Sequence, residues 1–94
     1  MYDRLPYWID LTPRAQIALD SLSNADRNRV LRKLEKLQGG RGLSSNPNVK
    51  RLQDFPEIYV LRATLALRVI LRYEEPFIEI LDIVRHDRLK RMYG

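Results

Sequence analysis

Arg62 and Arg68 are the residues of this chain whose type and placement most directly suggest chemistry. They stand on either side of a short break, Thr64-Leu65-Ala66, inside the stretch YVLRATLALRVILRYEEPFIEILDIVRH that runs from Tyr59 to His86. A planar guanidinium matches the oxygens of a phosphate or carboxylate. A tight hairpin at the break sets Arg62 across from Arg68. Like charges directly opposed on a sheet are unfavourable by roughly 0.2–1 kcal/mol, so a pair of this kind suits a bound anion. The next run, Phe77 to Val84, brings Asp82 opposite Arg68 in the expected register. Two readings therefore compete, an anion site or an Arg68–Asp82 ion pair. An exposed pair contributes only roughly 0–1 kcal/mol. His86 is the single histidine. Histidine's unperturbed pKa, about 6.5, suits general acid–base work near neutrality, although a lone histidine is more often structural or merely exposed. Around it, Arg85, Arg88, Lys90 and Arg91 concentrate charge, and Tyr93 lies one residue from the end. This tail reads either as a solvated terminus or as part of a functional surface.

The elements that must position these groups follow from periodicity. Tyr59, Leu61, Ala63, Leu67, Val69 and Leu71 are apolar at alternate positions, the pattern of strands with one buried face. Leu81 and Ile83 are expected to join that core set. The arginine face then also carries Ile58, Val60, Ile70, Ile78, Ile80 and Val84, an exposed apolar surface of the kind that marks an interaction site. Earlier in the chain, Tyr7, Ile9 and Leu11 alternate as a short strand. Thr12-Pro13 opens a helix of about ten residues, with Ala15, Ala18, Leu19 and Leu22 on one side. After Ser23-Asn24 a second helix runs from Ala25 to Gln38, with Val30, Leu31, Leu34 and Leu37 as its apolar stripe. The short link implies an antiparallel helical hairpin. The second helix's basic face reads as a solvated surface or as a phosphate contact. Gly39-Gly40 ends the helix, and the loop from Gly39 to Asn48 follows. Lys50 and Arg51 add charge beside the sheet.

The chain of 94 residues reads as one domain, residues 1–94. With no cysteine and a single histidine, disulfides and a zinc site are not expected, and no cofactor is implied. No apolar run reaches the roughly 20 residues that span a bilayer. The N-terminus lacks the apolar core of a signal peptide, so a cytoplasmic protein is expected. Seventeen Lys and Arg against twelve Asp and Glu leave a net charge of +5, which points to an acidic or polyanionic partner.

Taken together, TPRAQIALDSL with NADRNRVLRKLEKL, then VKRLQDFPEIYVLRATLALRVILRY, then ILDIVRHDRLKRMYG, resemble the RelE/ParE superfamily of bacterial type II toxins. The resemblance implies an α+β fold: an N-terminal strand and a two-helix hairpin packed on an antiparallel sheet with three consecutive C-terminal strands. It implies a ribosome-dependent endoribonuclease that cleaves translated mRNA by 2′-hydroxyl attack without a metal, held inactive by a cognate antitoxin. The family's other expected activities are inhibition of DNA gyrase, as in ParE, or a catalytically degenerate interaction module. Arg62 matches the end of the first signature strand and Arg68 the arginine that clamps the scissile phosphate. Arg85 or His86 matches the basic position after the last strand, and Tyr93 the late tyrosine. Lys50, Arg51, Arg72, Arg88, Lys90 and Arg91 are the expected RNA contacts. Where many members carry a cation two residues before Arg62, this chain has Val60.

Overall fold

The computed structural model describes residues 5–6, 8–37, 43, 46–74 and 76–93. Tyr7, Gln38, Gly39-Gly40, most of the following loop and Glu75 lie outside the described residues, as do the side chains of Lys90 and Tyr93.

Eight elements follow in order: β1 (Ile9–Leu11), α1 (Pro13–Asp20), α2 (Asn24–Glu35), β2 (Val49–Leu52), β3 (Phe55–Arg62), β4 (Leu67–Glu74), β5 (Phe77–Arg85) and α3 (His86–Tyr93). The five strands form one sheet in the order β1-β5-β4-β3-β2. The sheet is mixed rather than wholly antiparallel, because β1 runs parallel to β5 while the other pairings are antiparallel.

Both helix starts are capped from the sequence. The Thr12 hydroxyl accepts the Ala15 N–H at 3.1 Å ahead of Pro13, and Ser23 accepts the Asp26 N–H at 3.2 Å. Arg27 closes the far end of α1: its Nη2 donates to the carbonyls of Asp20 and Leu22 at 3.1 and 3.0 Å, and its Nε to that of Leu19 at 3.3 Å. Carbonyls that a finished helix leaves unbonded thereby find donors. Leu19, Val30, Leu34, Leu61, Val69 and Leu71 fill one core between the helices and the sheet, each 0–1% exposed.

The β3–β4 hairpin has the expected register, with Arg62 paired to Arg68 and Leu61 to Val69. Thr64 holds the turn, its hydroxyl accepting from the amides of Ala66 and Leu67 at 3.2 and 3.1 Å. The β4–β5 register departs from expectation. Arg68 pairs with Val84, and Asp82 pairs with Ile70, not with Arg68. The register shifts between Ile70 and Leu71, leaving Leu81 as an extra residue on β5. A bulge of this kind reverses the facing of every residue beyond it. Ile78 and Ile80, expected on the arginine face, are fully buried in the core instead. Leu81, expected in the core, is only half-buried. The Thr12 hydroxyl donates to the Leu81 carbonyl at 3.0 Å, so the cap of α1 also satisfies the bulge.

The arginine face differs from expectation in a second respect. Its apolar residues Val60, Ile70 and Val84 are buried, apart from the main core cluster. The charged tail, which the sequence left as a solvated terminus or part of a functional surface, is the helix α3, which packs against β4 and β5.

Candidate functional site

A groove of about 380 Å³ lies between α3 and the strands β2 and β3. Strand pairing builds it. Residues directly opposed across a sheet share a face, so Arg62 and Arg68 project on the same side. Lys50 joins them through its pairing with Val60. His86 and Leu89, three residues apart on α3, stand on one side of that helix and line the groove with Arg62 and Arg68. The His86 N–H donates to the Ala66 carbonyl at 2.8 Å, which ties the start of α3 to the β3–β4 turn. Apolar atoms of Leu52, Val60 and Leu89 provide its walls. Among the described residues no carboxylate lines it.

The two arginines are held differently. Arg68 Nη1 donates to the carbonyls of Thr64, Leu67 and Leu65 at 2.8, 3.0 and 3.2 Å, so its guanidinium is stapled to the turn. Burial, and then the neighbouring charge of Arg62, push the Arg68 guanidinium below its ordinary pKa. A guanidinium remains charged at neutral pH all the same. The penalty on its charged form is therefore constant through the neutral range and is relieved only as pH rises through its folded pKa. Arg62 has no ion pair and no side-chain hydrogen bond among the described residues. Two adjacent cations with no carboxylate among the described residues beside them give the groove a positive field, which suits an anionic group such as a phosphodiester.

The remaining candidates divide. Lys50 and Arg51 line the groove, and the Arg51 Nε also donates to the Pro56 carbonyl at 2.7 Å. Arg85 does not line it: it pairs with the core residue Leu67, so it belongs to the other sheet face, 4.0 Å from Asp87. His86 and not Arg85 is therefore the basic residue that this fold brings to Arg62 and Arg68. Arg72 lies nearer the other end of the sheet, bonded to Glu79 at 2.6 Å. Arg88 and Arg91 are exposed on α3. Lys90 and Tyr93 are residues of α3, with side chains outside the described set. The polar groove residues Asn48 and Gln53 escaped the sequence reading, as did the apolar lining residues Pro47, Leu52 and Leu89. Asn48 and Gln53 carry no charge and sit in loop-like sequence, and only the β2–β3 register could have flagged Asn48.

No family model and no curated protein matches the sequence. Solved structures do match the fold. A chain of the RelB–RelE antitoxin–toxin complex of Methanococcus jannaschii superposes with a TM-score of 0.70 at 13% identity, over 90% of this chain and 99% of that one. The toxin–antitoxin complex RelBE2 of Mycobacterium tuberculosis gives 0.65 at 18%, covering 87% and 100%. The archaeal RelE–RelB complex of Pyrococcus horikoshii gives 0.60 at 23%, covering 87% and 97%. At these identities the likeness is one of fold: the chain has a RelE-like toxin fold.

Proposed function

We propose that this protein is the toxin component of a type II toxin–antitoxin system and acts as a ribosome-dependent endoribonuclease on translated mRNA. The observation that carries this reading is the Arg62–Arg68 cross-strand pair, which shares a groove with His86 and Lys50 and faces no carboxylate among the described residues. The likeness of the fold to chains solved in RelE–RelB complexes supports it.

In the proposed reaction the substrate's 2′-hydroxyl oxygen attacks the adjacent phosphorus and loses its proton. The bond from phosphorus to the 5′-oxygen breaks, and that oxygen takes up a proton. The products are a 2′,3′-cyclic phosphate and a 5′-hydroxyl. Arg62 and Arg68 neutralise the charge that builds on the phosphorane; such preorganised cations contribute several kcal/mol. His86 is the side chain in the groove suited to move a proton. No step calls for a metal or an organic cofactor. The ribosome would hold the mRNA in the bent conformation that in-line attack needs. An antitoxin segment with acidic and apolar residues would occupy the same groove, the acidic groups meeting Arg62 and Lys50 and the apolar ones meeting Leu52, Val60 and Leu89.

Induction of the protein alone in a bacterium tests this reading. Incorporation of labelled amino acid should fall within minutes, ahead of labelled thymidine; thymidine falling first would contradict it. A second reading, a binding-only inhibitor of gyrase, is favoured by one observation: the Arg68 guanidinium already staples the hairpin turn, a role that needs no RNA. Purified gyrase supercoiling DNA normally at micromolar concentrations of this protein would eliminate it.

A further inference from the structure

Neither the charge of the groove nor the proposed proton transfer uses Asn48. This residue stands at the entry to β2, where its carbonyl accepts the Arg62 N–H at 2.7 Å. Val49 pairs with Leu61 and Lys50 with Val60, so the same register places Asn48 opposite Arg62. The sheet thus carries a row Asn48, Arg62, Arg68 on one face. The Asn48 backbone is fixed a second time, its N–H donating to Asn46 Oδ1 at 2.9 Å. Its side chain is half-buried and lines the groove. Among the described residues its carboxamide has no hydrogen-bond partner. Half-exposed at the groove, that carboxamide can bond a group that enters it.

The chemistry of the row says what that ligand group is. A phosphate on Arg62 and Arg68 presents only acceptors, which the carboxamide oxygen of Asn48 cannot use. A sugar hydroxyl next to that phosphate presents both a donor and an acceptor, which a carboxamide can match with its oxygen and its amide hydrogens. The 2′-hydroxyl is the group that separates RNA from DNA. We infer that Asn48 is the ribose-reading residue of the groove: it bonds the 2′-hydroxyl of the nucleotide whose phosphate lies on Arg62 and Arg68, and so selects RNA over DNA. This rests on the phosphate-gripping role proposed for the two arginines. Lys50, next along β2 but one, adds charge without discrimination, since a phosphate contact is alike in both nucleic acids.

Fluorescence anisotropy of the full chain with a labelled oligoribonucleotide, its DNA copy and its 2′-fluoro copy tests the inference, each probe being checked as intact on a denaturing gel. The unaltered protein should bind RNA about five- to tenfold more tightly than DNA, the worth of one hydrogen bond. The 2′-fluoro probe, which cannot donate, should behave as DNA. In Asn48→Ala the RNA affinity should drop to that for DNA, with DNA binding unchanged, and Asn48→Ser should fall between. Arg62→Ala should weaken RNA and DNA alike. Equal binding of both nucleic acids by the unaltered protein, or an RNA preference that survives Asn48→Ala, overturns the inference while leaving the phosphate role intact. Unchanged binding of both by Arg62→Ala removes the phosphate role itself, and the ribose contact with it.

Discussion

One face of the sheet carries arginines at two levels, and their surroundings are opposite. Near the β3–β4 turn, Arg68 has Arg62 on one side and Val84 on the other. Further along, Arg72 has Ile58 on one side and Glu79 on the other, with Asp10 of β1 beyond it. Arg72 is neutralised by a carboxylate oxygen at 2.6 Å. Arg68 gains only carbonyl acceptors and faces a second cation. The same residue type on one strand is thus a structural ion pair at one level and part of an open cationic site at the other. What separates them is the extra residue Leu81. Were Leu81 taken into the ladder instead of left over, Ile80 would stand opposite Arg72, and Glu79 would turn toward the core. The bulge gives the far arginine its carboxylate while Ile80 and Ile83 both stay buried.

Inserting one alanine between Ile70 and Leu71, which gives Leu81 a partner and removes the bulge, is therefore expected to have the largest effect. It turns either Ile80 or Ile83 out of the core and brings a charged neighbour in. The expected loss is about 3–5 kcal/mol, read from the urea midpoint. A stability within about 1 kcal/mol of the parent would mean that the bulge does not set the facing of β5.

His86→Gln sharpens the contrast from the chemical side. It keeps the fold and a polar side chain but removes the group suited to proton transfer. Cleavage of translated mRNA should slow about a hundredfold. Cleavage at the parental rate would move the proton transfer to another residue.

Thr64→Val tests the turn that joins the strands of Arg62 and Arg68. The Ala66 and Leu67 amides lose their hydroxyl acceptor, and a loss of about 1–2 kcal/mol is expected by thermal or urea unfolding. The smallest effect belongs to Arg72→Ala. A partly exposed ion pair contributes about 0–1 kcal/mol, and cleavage should stay within about twofold of the parent. A large loss of activity there would erase the distinction between the two levels.

The sequence made the Arg62–Arg68 level legible because strict alternation on both strands and a three-residue break allow few registers. It did not make the Arg72 level legible. Phe77, Ile78, Ile80, Leu81, Ile83 and Val84 put apolar residues at both parities, so alternation could not locate an extra residue among them. Reading through the bulge placed Asp82 against Arg68, where the structure has Val84. The tail hid for a different reason. Four cations among the residues from Arg85 to Arg91 look like a solvated terminus, and only Leu89 and Met92, three apart, hint at the helix that carries His86. The place of Asn48 beside Arg62 was illegible in the sequence, because it depends on which strand lies next to β3.

Primer extension on a translated mRNA, after induction of the parent or of Arg62→Ala or Arg68→Ala, tests the central claim most directly. Removing either cation from the open level should lower cleavage about 10²- to 10³-fold while both variants remain folded. Parental cleavage by either folded variant would contradict the account.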